Sequence, residues 1–132
     1  MFNFKSISRG FAAGAIGGVA NVVALAIFGK LGITAAMGIH MPPPALPAFL
    51  YTQMVWGGLW GLLFVTPLMK DSWWQRGIVI GLLASVAALF YFIPRGPAGM
   101  AGLNAGTLTP LLVVIVNTVW GLVASWWYEK TA

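Results

Sequence analysis

Four stretches of this chain run without a charged side chain for about 18 residues or more, long enough to cross a hydrocarbon layer about 30 Å thick. They cover residues 11–29, 47–69, 77–94 and 107–128. In lipid there is no water to bond the backbone, so its N–H and C=O groups must be satisfied within a helix or around a closed barrel. Barrel strands are shorter and alternate in polarity, and these runs do not. The sequence therefore predicts an all-α membrane protein with four transmembrane helices. Composition agrees, since 7% of the 132 residues are charged and 60% are hydrophobic, against about 25% charged in soluble domains.

Gln53-Met54-Val55-Trp56-Gly57 and Asn117-Thr118-Val119-Trp120-Gly121 are one phrase written twice, in the second and fourth runs. Arg9-Gly10-Phe11-Ala12-Ala13-Gly14 matches Arg76-Gly77-Ile78-Val79-Ile80-Gly81 in the first and third, and Val19-Ala20 then falls on Val86-Ala87. Such self-similarity marks repeated units. The expected architecture is a single domain over residues 1–132 built as two tandem helical hairpins. Two spans per unit make both units enter the membrane in the same sense, so the repeats are parallel about an axis along the membrane normal and not inverted. The short connection Lys70-Asp71-Ser72-Trp73-Trp74-Gln75-Arg76 makes the second and third helices antiparallel neighbours. Met41-Pro42-Pro43-Pro44-Ala45-Leu46-Pro47 predicts an extended lead into the second helix.

Net charge is +5, but the seven Lys and Arg residues stand at helix ends and do not cluster with exposed aromatics. They read as topology signals and not as a nucleic-acid surface. With the N-terminus inside, Lys5, Arg9, Lys70, Arg76 and Lys130 are cytoplasmic and only Lys30 and Arg95 lie outside, so both termini are expected in the cytoplasm of a bacterial inner membrane. Trp73-Trp74 and Trp126-Trp127-Tyr128 then share the inner boundary, where indole rings concentrate. The opening residues also have the outline of a cleaved signal, with Lys5, Arg9, an apolar run and Thr34-Ala35-Ala36. The run exceeds the roughly 7–15 residues of a signal core, and its match to the third helix argues that it stays.

Small residues recur at four-residue spacing on every helix: Gly10, Gly14 and Gly18; Gly57 and Gly61; Gly77, Gly81 and Ser85; Gly121 and Ser125. That spacing puts them on one face, where backbones approach closely. Asn21, Gln53 and Asn117 continue these faces. Such amides either bond across helices, each contributing about 0.6–2 kcal/mol, or line a narrow polar path open to the outside. Trp56, Trp60 and Trp120 fall near mid-membrane, away from the interface that tryptophan prefers. They form either core packing or a flat wall for a porphyrin, carotenoid, quinone or lipid tail.

The chain has no cysteine, which excludes disulfides and thiolate metal sites. One histidine excludes a bis-His haem within one chain. Met37, His40, Met41 and Met100 are a weak Cu(I) possibility, thioethers plus one imidazole; no other metal is expected, and no cofactor beyond a bound lipid or pigment. The two carboxylates, Asp71 and Glu129, fall at the inner surface, so a shielded general acid or base has no candidate and no enzyme is expected.

The Gly-rich spans with Val55-Trp56-Gly57 and Val119-Trp120-Gly121 resemble small uncharacterised bacterial inner-membrane proteins of the YagU-like kind, mainly over Gly77 to Tyr128. In such proteins a histidine often precedes the final aromatic pair, and Asn117 to Trp120 has none. The resemblance implies a small polytopic inner-membrane protein. The leading functional expectation is a non-enzymatic accessory or assembly subunit that docks to other membrane subunits or to itself. A small-solute channel or carrier and an apolar-ligand or pigment binder are the alternatives.

Overall fold

A computed structural model describes residues 3–40 and 46–132, so residues 41–45, with Met41 and most of the Pro-rich lead, lie outside the described residues. Among the described residues the fold is all-helical. Four helices are long and apolar enough to cross a membrane. They span Phe4–Lys30, Ala48–Val65, Trp73–Arg95 and Thr109–Lys130, built on α1 (Phe4–Lys30), α2 (Ala48–Gly61), α3 (Trp73–Ala87) and α4 (Thr109–Lys130). A 3-10 turn, Leu62–Val65, prolongs α2; a π turn, Ala88–Phe92, and a 3-10 turn, Ile93–Arg95, prolong α3.

Helix boundaries depart from the charge-free windows for local reasons. The first helix begins at Phe4 and not near residue 11, because the Asn3 side chain accepts the Ser6 N–H at 2.9 Å and caps it there. Lys5 and Arg9 therefore ride on the helix. The second span ends at Val65 and not at 69, because Pro67 disfavours helical backbone in the residue before it and Thr66 is extended (φ −72°, ψ 159°). Pro94 has no N–H and would crowd the carbonyl four residues back in α geometry; the wider π turn precedes it. Pro110 sits in the first turn of α4, where no helical donor is lost.

α1 packs on α2 and on α4, and α4 packs on α3. Across the molecule the order is thus α2, α1, α4, α3. The short connection does not make α2 and α3 packed neighbours, which corrects the sequence expectation; their seam stays open for a reason given below.

Each hairpin closes glycine on glycine. A Cβ on Gly14 would overlap the Gly57 carbonyl, one on Gly61 the Gly10 carbonyl, and one on Gly121 the Gly77 carbonyl. Gly18 and Gly81 lie against the backbone carbonyls of Gln53 and Asn117 in the same way. The small-residue faces are therefore consumed inside the chain. The two registers differ by one helical turn. Gly57 stacks on Gly14, whereas its sequence counterpart Gly121 stacks chiefly on Gly77, with the Gly81 backbone behind it. Ser125 donates across the second hairpin to the Trp73 carbonyl at 2.7 Å, while Ser85 bonds back to Gly81 of its own helix at 2.8 Å.

The end that carries both termini is tied by two arginines. Arg9 of α1 donates to the Tyr128 carbonyl in the last turns of α4, and its guanidinium carbon stands 4.0 Å from the Tyr128 ring centre. Arg76 of α3 donates to the carbonyls of Phe64 and Thr66 at the end of α2 and faces the Phe64 and Tyr128 rings at 5.4 and 5.6 Å. Cations at helix C-termini satisfy orphan carbonyls and complement the dipole. Arg76, read from the sequence as a topology signal, is only 7% exposed and forms a buried clasp. Phe64, Trp120, Ala13, Ile80 and Ala124 form the core beside it.

At the opposite end the two loops cover one another. The His40 N–H bonds the Ala105 carbonyl at 2.7 Å, and a Cβ on Gly106 would lie 2.5 Å from the Gly38 carbonyl. Ile39 and Ala105 are buried there over Leu112 and Val116. Much of the apolar character of these loops is thus spent on mutual burial, although Leu31 and Met100 remain 70% and 58% exposed.

Candidate binding site

A cavity of about 390 Å³ fills the loop-end half of the open seam between α2 and α3. Asn21, Gln53 and Asn117 all line it, as do Trp56, Trp60 and Trp120. The amide group and the tryptophan wall, distinct alternatives in the sequence, are one site. A shallower groove of about 270 Å³ continues it along α2 past Leu59 and Leu63, sharing Trp56, Trp60 and Phe92.

The seam stays open because of side-chain size. At the closed α1–α4 interface, Gly17 meets Trp120 and Ala124; a Cβ on Gly17 would lie 2.7 Å from the Trp120 carbonyl and 2.8 Å from its ring. By the sequence matches, Ala84 stands where α1 has Gly17, and Trp60 where α4 has Ala124. A methyl and an indole therefore occupy positions that a hydrogen and a methyl occupy in the closed seam. Both Ala84 and Trp60 line the cavity. The tryptophans diverge accordingly. Trp120 is 4% exposed and donates its indole N–H to the Gly14 carbonyl at 2.9 Å, whereas Trp56 is 47% exposed. The acceptor equivalent to Gly14, the Gly81 carbonyl, is already taken by Ser85. Trp56 instead leans on Phe92 across the seam, ring centres 5.1 Å apart.

The amides have distinct fates. Asn21 is buried and donates from Nδ2 to the Val116 carbonyl at 3.3 Å and to Asn117 Oδ1 at 3.0 Å. Bonding across helices therefore holds for this pair. A carbonyl can only accept, so the Val116 contact fixes which end of the Asn21 amide is nitrogen, and hence that Asn117 turns its oxygen toward Asn21. The Asn117 NH₂ group is left over. Gln53 bonds no described residue through its side chain, and Thr52 donates its hydroxyl to the Ala48 carbonyl at 3.1 Å. No lining residue is ionisable.

Of the metal candidates, Met37 packs against the buried Ile39 and Leu112 cluster, His40 and Met100 are exposed, and Met41 lies outside the described residues. Among the described residues no three His, Cys, Asp or Glu side chains gather. Sequence reasoning missed Phe49, Thr52 and Phe92 as lining residues. Phe49 and Thr52 were legible in principle, since they share a helical face with Gln53 and Trp56; Phe92 was not, because the π turn rotates it out of α-helical register.

No protein-family model matches this chain significantly, and neither a curated protein nor a solved structure does.

Proposed function

We propose that this is a non-enzymatic membrane-embedded binding protein whose α2–α3 cavity takes an elongated apolar ligand. One observation carries the reading: of two seams at matched positions, one is packed tight and the other is held apart by Ala84 and Trp60 around an aromatic and amide-lined space. Its volume falls within the roughly 300–1,000 Å³ of small-molecule sites, which are likewise mostly apolar with a few placed polar groups. Native mass spectrometry from mild detergent tests it. A small apolar adduct is expected on the parent chain and not on an Ala88→Phe variant, which fills the cavity. A bare parent, or an adduct that survives the filling, refutes the reading.

The topology that accompanies it is two tandem, parallel hairpins in a bacterial inner membrane with both termini cytoplasmic, in keeping with the YagU-like resemblance. Support comes from the arginine clasp. Arg9 and Arg76 stand at matched positions, Tyr128 and Phe64 do too, and Arg9 bonds the Tyr128 carbonyl as Arg76 bonds that of Phe64. A role as accessory subunit rests now on the exposed loop-end side chains Leu31, Met100 and Leu103, since the glycine faces are occupied within the chain. Co-purification of a stoichiometric partner, lost on Leu31→Gln with Leu103→Gln, is the outcome that supports docking; a particle without partner opposes it.

A further inference from the structure

Resting on the cavity reading above, we infer that the preferred ligand has an uncharged, planar, carbonyl-bearing head on an apolar tail, the chemistry of an isoprenoid quinone. The first ground is the balance of unspent polar groups. Asn117 offers an NH₂ whose partner oxygen is already engaged, Gln53 a second NH₂, and the indole N–H groups of Trp56 and Trp60 donate to no described residue. Against these donors stand the oxygens of Gln53, Thr52 and Asn21 as uncommitted acceptors, and Thr52 has spent its proton on Ala48. A donor-rich wall in low dielectric selects acceptors, because each buried donor left without one is penalised.

The second ground is charge. No cation lines the cavity; Arg95 lies over the Tyr91 ring instead, at 4.2 Å. A phosphate head would enter unpaired, which is costly in an apolar surround. The third ground is shape. Gln53, Trp56 and Trp60 follow at three- and four-residue spacing along one face of α2, with Phe92 opposite, so amide donors border a slot walled by flat rings. The groove past Leu59 and Leu63 then continues the cavity in the direction of the helices, as a lipid-like tail would lie. An ester-headed neutral lipid shares the acceptors but not the flatness.

The full-length protein in nanodiscs of zwitterionic lipid would be titrated with four probes of equal ten-carbon tail: a benzoquinone, its quinol, an alkylbenzene and a neutral diester. The quinone is expected to bind about tenfold more tightly than the alkylbenzene, the equivalent of one net hydrogen bond, and more tightly than the quinol and the diester. Gln53→Met, which breaks no bond between described residues, should reduce the margin of the quinone over the alkylbenzene several-fold. Equal binding of quinone and alkylbenzene overturns the donor argument but leaves the cavity reading intact. A preference for the diester or the quinol overturns the planar-acceptor assignment in the same way. Absence of binding by all four removes the cavity reading itself, and this inference with it.

Discussion

Single residues on this chain act through the absence of a side chain or through one donated proton. Gly14 has the Gly57 backbone directly where its Cβ would stand, so Gly14→Ala is expected to destabilise the protein by about 1–3 kcal/mol, as overpacking does. Gly29, with nothing within 4 Å of an added Cβ, is the control: Gly29→Ala should be neutral or stabilising by up to about 1 kcal/mol. Thermal unfolding in one mild detergent compares them, and equal shifts would contradict the backbone-contact account. Arg76 makes the second test. Removing it strands the Phe64 and Thr66 carbonyls, so Arg76→Met should cost about 1.5–3 kcal/mol, the range for hydrogen bonds to charged groups. Arg76→Lys should recover only part, because a compact ammonium lacks the planar fork. The glycine spacing was legible as a close-packing face, but the identity of its partner was not: only three-dimensional register tells Gly77 from Gly81 as the neighbour of Gly121. The burial of Arg76 was equally hidden, since an arginine near a span end reads as solvated whether or not carbonyls reach it.

At the scale of the helices, the informative contrast is between two seams built from matched positions. Gly17 with Ala124 closes α1 on α4, and Ala84 with Trp60 keeps α2 from α3. Exchanging the bulk should exchange the behaviour. In the Ala84→Gly, Trp60→Ala background, a cysteine pair at positions 52 and 88, introduced into a chain that has no native cysteine, should oxidise to a disulfide several-fold faster than in the parent. Unchanged rates would mean that something other than side-chain size holds the seam. The existence of four helices was legible because lipid leaves a backbone few options. Their adjacency was not. A short connection fixes where two ends meet, and the packing of the rest was decided by a methyl and an indole whose meaning emerges only when the opposite seam is in view.

For the whole molecule, the charge distribution makes a directional prediction. Cysteine placed at Lys70 should react in intact cells only with membrane-permeant reagents, and cysteine at Arg95 also with impermeant ones; the reverse pattern would invert the proposed orientation. The sequence supplied this expectation through its count of cations, and it singled out Asn21, Gln53, Asn117, Trp56, Trp60 and Trp120, part of the cavity's lining. What it withheld was that they share one cavity, because amides on three helices and indoles on two coincide only after the helices are ordered.

The arginine clasp sets the mechanics of that cavity. With α1 tied to α4 and α3 to the end of α2 beside Tyr128, the helix pair flanking the seam is clasped at one extremity, while toward the other it is bridged by the Trp56–Phe92 ring contact. Phe49 lies about 22 Å along the helix from Phe64, so a splay of only about 5° carries it about 2 Å outward. A small rotation at the clasped end would thus become a passage-sized displacement at the mouth, where the amides have the longest lever arm.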